Sequence, residues 1–158
     1  MGTEQDHQIR WLSADEMRAW RGYIVGSALL EYRLNREMQE EHGLTLADYE
    51  ILARLSEQPD MRMRMTQLAT DVASSKSRVS HQVARLESAQ LVRRENCSRD
   101  GRGVYAILTD RGFELLRTAA PTHLRGVREH LVDRLTDEQR AVLTQVFEGI
   151  AERLRALP

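Results

Sequence analysis

SSKSRVSHQVARLESAQLVRR, residues 74 to 94, is the stretch on which the reading of this chain turns. It opens with small hydroxyl residues and a lysine, runs through apolar residues at helical spacing, and closes on two arginines. On a helix, Val79, Val83 and Leu86 share one side. Ser75, Lys76, Ser77, Arg78, Ser80, His81 and Arg85 occupy the rest. A solvated surface helix has this pattern, and so does a helix shaped to lie in a groove of DNA. The neighbouring residues separate the two.

Upstream, Thr66 is placed to cap a short helix over residues 66–73, with Leu68 and Val72 inward and a tight turn at Ser74-Ser75. Downstream, Leu91-Val92-Arg93-Arg94 and Val104-Tyr105-Ala106-Ile107-Leu108 are rich in β-branched and aromatic residues and read as strands. They flank Ser98-Arg99-Asp100-Gly101-Arg102-Gly103, a turn with two glycines. Helix, turn, basic helix and basic hairpin follow in order. That is the pattern of a winged helix-turn-helix. In such a unit the N-terminal residues of the second helix face base edges and its flanks face phosphates. Lys76 and Arg78 can neutralise phosphates or bond guanine acceptors. Arg99 and Arg102 on a thin loop suit a narrow minor groove.

Charge supports this reading locally. The whole chain of 158 residues carries a net −1. Residues 62 to 111 hold ten Lys and Arg against five acids, so the middle is basic, while the N-terminal part before it is acidic and the C-terminal part after it is balanced. A DNA-reading module between non-binding helices has this asymmetry.

The flanks read as helices. Ser13-Ala-Asp-Glu16, Thr45-Leu-Ala-Asp48 and Thr136-Asp-Glu-Gln139 are capping boxes, in which a hydroxyl and a residue three places on satisfy each other's backbone amides. They predict helices over roughly 14–42, 46–57 and from 137 to about 155, the first ended by Gly43 and the second by Pro59. A further helix starts at Thr109-Asp-Arg-Gly and runs over about 110–134, where Pro121 is expected to kink or break it. In the last helix Leu143, Val146, Phe147, Ile150, Leu154 and Leu157 form one stripe.

The set resembles the MarR family of bacterial transcriptional regulators over about residues 20–157. The carriers are HGLTLADYEIL (42–52), MTQLATDVASSKSRVSHQVARLESAQLVRRE (65–95) and the wing signature DGRGVYAILTDRG (100–112). The resemblance implies a single domain over 1–158, mainly α with a small β-hairpin wing. A winged helix-turn-helix would span 45–109, flanked by dimerisation helices at 14–42 and 110–157. It also implies an obligate homodimer on a palindromic double-stranded operator, acting as a repressor released by a small-molecule effector. One position departs from the family. Gln90 stands where a glycine is usual after the recognition helix, and a non-glycine residue in a left-handed cap costs about 1 kcal/mol.

Cys97 is the single cysteine, so an internal disulfide is excluded. A thiol switch through Cys97 is an alternative trigger, with Arg93, Arg94 and Arg99 as nearby cations. A winged helix that only binds protein is the other alternative. Glu41, His42, His123 and His130 can be assembled into a zinc site on paper, but no HxxxH pair or nearby cysteine supports one, and no metal or cofactor is expected. His42, at a helix end, reads as a partner of the helix dipole. Trp11, Trp20 and Tyr23 read as core or dimer packing, or as the lining of an effector pocket. No phosphate loop, dinucleotide fingerprint or Ser-His-acid spacing points to an enzyme. With no long apolar run and no secretory h-region, a cytoplasmic protein is expected.

Overall fold

The computed structural model describes residues 9–96 and 103–157. Six α-helices and a three-stranded antiparallel sheet make up these residues: α1 (Ala14–His42), α2 (Leu46–Ser56), β1 (Arg62–Arg64), α3 (Met65–Asp71), α4 (Lys76–Ser88), β2 (Val92–Asn96), β3 (Val104–Leu108), α5 (Asp110–His130) and α6 (Asp137–Arg155). A 3-10 turn over Val132–Arg134 joins the last two helices. No helix among them is long and apolar enough to cross a membrane.

All three capping boxes form. Ser13, Thr45 and Thr136 each accept from the amide three residues on, and Glu16, Asp48 and Gln139 each reach back to the capping residue's own amide. Gly43 ends α1 at φ 66°, where an L side chain would be strained. The core lies under the helix-turn-helix: Leu52 and Leu55 of α2, Leu68 of α3, Val79, Val83 and Leu86 of α4, and Val92 of β2 are all essentially inaccessible, with Met38 closing it from α1.

The helix-turn-helix owes its shape to two left-handed residues. After α3, Ala73 has φ 48°, and the amides of Ala73 and Ser74 fold back onto the carbonyls of Thr70 and Ala69. After α4, Gln90 has φ 63°, and the amides of Gln90 and Leu91 fold back onto Glu87 and Leu86. Both are glycine-type helix caps built without glycine. Gln90 thus adopts the strained conformation directly. Its carbonyl accepts from the Thr109 hydroxyl at 2.8 Å and its side-chain oxygen accepts from Arg111 at 3.2 Å.

Four expectations are corrected. Thr66 does not cap α3: the helix begins one residue earlier, Arg64 is its N-cap, and no side chain caps it. The hairpin is part of a larger sheet in the order β1-β3-β2, because Arg62, Met63 and Arg64 pair with Ile107, Ala106 and Tyr105. Three residues are too few to show an alternating pattern in sequence, although Met63 alone of the three points inward. Pro121 does not break α5, which continues as one helix from Asp110 to His130. The buried face on either side of it, Leu116, Ala119, Thr122 and Gly126, packs against the rest of the molecule and offsets the one missing amide bond. The helix stops at His130, four residues short of the expected end.

The join between α1 and α5 is close and polar. A Cβ at Gly126 would lie 2.6 Å from Glu37 Oε2 and 2.7 Å from Leu34 Cδ2. One turn to either side, Thr122 donates to Glu41 (2.7 Å) and bonds His42 Nε2 (2.8 Å), and His130 Nε2 bonds Glu37 (2.8 Å).

Candidate nucleic-acid interface

α4 is held from one side and open on the other. Val79 and Val83 are fully buried and Leu86 nearly so. Ser75, Lys76, Ser77, Arg78, Ser80 and His81 are all exposed. Ser75 is the N-cap, its hydroxyl oxygen accepting from the Arg78 amide at 3.2 Å. The helix therefore starts at the point where the cationic and hydroxyl side chains begin. Among the described residues, Lys76 and Arg78 have no ion-pair partner. The first turn of α4 carries no acid, so its positive end is not offset locally.

The remaining sequence-predicted residues fall differently. Arg85, in the last turn of α4, donates to the buried carboxylate of Asp48 on α2. Arg99 and Arg102 lie outside the described residues, as does Cys97. Arg94 of β2 is clamped by Glu87 of α4: its amide donates to one carboxylate oxygen (2.9 Å) and its Nε to the other (2.8 Å). These bonds from Arg94 hold the Glu87 carboxyl below the usual carboxylate range. The clamp fixes the start of β2 on α4.

Sequence reasoning missed Arg62, Arg64 and Tyr105. Positions 62 and 64 lie on the same face of β1, and both guanidinium groups sit over the Tyr105 ring, 5.2 and 5.5 Å from its centroid. The signal was present as Arg-x-Arg beside a helix start, but it needs β1 to be recognised as a strand. Arg64, Thr66, Lys76, Ser80 and Arg94 line a cavity of about 340 Å³ between α3, α4 and the sheet. The basic surface is thus continuous from α4 to the base of the hairpin.

Among the described residues the histidines do not come together as a metal site. His42 bonds Thr122 and His130 bonds Glu37, while His123 stacks on Tyr49 with ring centroids 4.4 Å apart. No group of three or more His, Cys, Asp or Glu among the described residues is placed to hold a metal. His123 Nδ1 is buried without a hydrogen-bond partner, and burial pulls its pKa down.

The exposed face of α6 is apolar. α6 has no buried residue, and Val142, Val146, Ile150 and Leu154 are between 45 and 60% exposed. Trp20, Tyr23 and Phe147 form a ring cluster (6.0 and 5.3 Å between centroids) at a groove of about 1060 Å³ between α1 and α6. Trp11 is 82% exposed. None of these aromatics is core of the single chain.

Helix-turn-helix and sheet together make a winged helix, and a winged helix with a cationic, outward-facing second helix is the architecture of a transcription regulator. Comparison with known proteins agrees. A family model described as MarR family matches residues 44–104. AbsC, a MarR family transcriptional regulator from Streptomyces coelicolor, is similar at 46% identity and a TM-score of 0.89, with 94% of this chain and all of that one covered. Sco3205, a MarR family transcriptional regulator from the same organism solved in complex with DNA, is similar at 46% identity and a TM-score of 0.90, covering 94% and 93%. The transcriptional regulator HosA of Escherichia coli O157:H7 is 27% identical over 118 residues, 75% of this chain and 85% of that protein. The chain belongs to the MarR family of transcriptional regulators.

Proposed function

We propose that this protein is a homodimeric repressor that binds a palindromic operator in duplex DNA and is released from it by a small-molecule effector. The observation that carries the DNA reading is the two-sided character of α4. Its inner side is locked by Val79, Val83 and Leu86, and its outer side presents Lys76, Ser77, Arg78, Ser80 and His81 with both cations unpaired among the described residues. In this reading Ser77, Arg78 and His81 face base edges, Lys76 faces a phosphate, and Arg99 and Arg102 reach the minor groove. The DNA complex of Sco3205 supports it.

Dimerisation is supported by the apolar face of α6 and the aromatic groove beside α1. A continuous apolar surface of this kind on a chain that is 30% charged calls for a partner. A second copy fits it by two-fold self-complementarity and sets two α4 helices about 34 Å apart, one turn of DNA. Repression follows from occlusion of a promoter. Release requires an effector that binds the DNA-incompetent spacing of the two lobes more tightly than the competent one.

The test is a salt titration of binding to duplex DNA. Wild type is expected to show a steep fall of affinity with salt, and Lys76→Ala is expected to reduce the slope of log K against log salt by about 0.9, one phosphate contact. A flat salt dependence in wild type, or an unchanged slope in Lys76→Ala, contradicts the assigned face.

A further inference from the structure

Asp48 is an unusual residue to find buried. Its side chain is 7% exposed, and it lies at the first turn of α2, far in sequence from the recognition helix. One carboxylate oxygen accepts from the Thr45 amide at 3.2 Å, closing the capping box. The other accepts from the Arg85 guanidinium, at the C-terminal end of α4. A single carboxylate therefore joins the start of α2 to the end of the helix that faces DNA.

Leu52 and Leu55 of α2 share one apolar core with Val79, Val83 and Leu86 of α4. Apolar packing holds the inner side of α4 without being directional. A charge-assisted hydrogen bond to a buried acceptor adds a directional constraint at the C-terminal end of the helix. Moving the Arg85 guanidinium to a phosphate would leave the Asp48 carboxylate buried and unpaired, which is the costly case for an ion pair. Arg85 is spaced along α4 as a DNA contact would be, but its charge is already committed.

We propose that Asp48 is a positioning residue for DNA reading: acting through Arg85, it fixes the rotation of α4, and Arg85 supplies orientation to the recognition helix rather than a contact to DNA. This rests on the DNA-binding reading above. The pair would then govern how well one sequence is preferred over another, with little effect on attraction to duplex DNA in general.

The experiment uses the full chain and two labelled duplexes of about 30 base pairs, one of random sequence and one carrying the inverted repeat that wild type enriches from a random pool. Arg85→Ala, Arg85→Lys, Asp48→Asn and the Asp48→Asn/Arg85→Ala double variant are compared across salt. Asp48→Asn keeps an acceptor for the Thr45 amide, so it reports on the pair even where Arg85→Ala fails to fold, as circular dichroism will show. The expected result is a fall of about tenfold or more in affinity for the repeat for both Arg85→Ala and Asp48→Asn. The double variant is expected to be no worse than either single one, and Arg85→Lys to recover part of the loss. Affinity for the random duplex and the salt slope should stay at the wild-type value.

An Arg85→Ala slope lower by about 0.9, with both duplexes weakened equally and Asp48→Asn silent, would make Arg85 a phosphate contact and overturn the proposal. So would lowered thermal stability with the preference for the repeat intact, because the pair would then be structural only. A wild type that binds neither duplex, seen before any variant is made, removes the DNA reading itself and this proposal with it.

Discussion

The α-carbon of Gly112, in the first turn of α5, faces the backbone carbonyl oxygen of Leu91 so closely that a methyl group there would overlap it and would also sit 2.8 Å from Leu108 Cδ1. The same Leu91 carbonyl accepts from the Thr109 amide and from the Thr109 hydroxyl, at 3.1 and 3.0 Å. Thr109 in turn caps α5 by accepting from the Gly112 amide. The Leu-Thr-x-x-Gly sequence at 108–112 is therefore a joint, welding the end of β3 and the start of α5 to the end of α4.

Gly112→Ala is expected to destabilise the protein by about 1–3 kcal/mol, because the obstructing atom is backbone and cannot rotate away. Denaturant unfolding at fixed protein concentration checks this. A loss within experimental error of zero would mean that α5 can shift without strain.

Ala73 and Gln90 invite the opposite substitution. Each is a non-glycine residue in a left-handed helix cap. Ala73→Gly should raise stability by about 0.5–1 kcal/mol, the relief of the left-handed strain less the extra chain entropy of glycine. Gln90→Gly should gain less, since it also gives up the bond from Arg111. Thermal unfolding of both variants beside wild type shows the order.

How much of this was legible in the sequence depends on the distance over which each feature is determined. Helix starts at Ser13, Thr45 and Thr136 are set by residues three apart, and all three were readable. The strand over Val104–Leu108 is five apolar or aromatic residues in a row, and its limits are as expected. β1 was not readable, because Arg62-Met63-Arg64 becomes a strand only through pairing with β3, some 40 residues later. Pro121 does not end α5 for the same reason: its local penalty is outweighed by packing that no local rule contains. In the site, the exposed start of α4 followed from the spacing of Val79, Val83 and Leu86. The commitment of Arg85 to Asp48 did not, since the two are 37 residues apart.

The apolar face of α6 gives a prediction about assembly. Val146→Asp and Ile150→Asp each place a charge in the exposed stripe, where the single chain has room for it. Both variants should remain helical and sediment as monomers, whereas wild type is expected to sediment as a dimer at the same concentration. Variants that stay dimeric would place the interface elsewhere.

His123 gives a prediction about pH. Burial against Tyr49 lowers its pKa in the folded state, partly opposed by the charge of Glu50. Unfolded, the ring returns to about 6.5 and binds a proton more readily than in the fold. Stability contributed by the neutral ring is therefore full above that value and declines as pH falls from it toward the folded pKa. Unfolding free energies measured between about pH 5 and 7.5 should fall more steeply for wild type than for His123→Phe, which stacks on Tyr49 without titrating. Parallel curves would mean that His123 is not the group responsible.

The account stands or falls on whether α4 reads sequence as a pair of helices. The direct measurement is a selection from a random duplex pool with the purified protein at about 150 mM salt, where non-specific attraction is weakened. The predicted result is enrichment of an inverted repeat with half-site centres about 10 base pairs apart, the spacing of two recognition helices on one face of the duplex. Enrichment of no motif, with only weak and salt-limited binding, would contradict it.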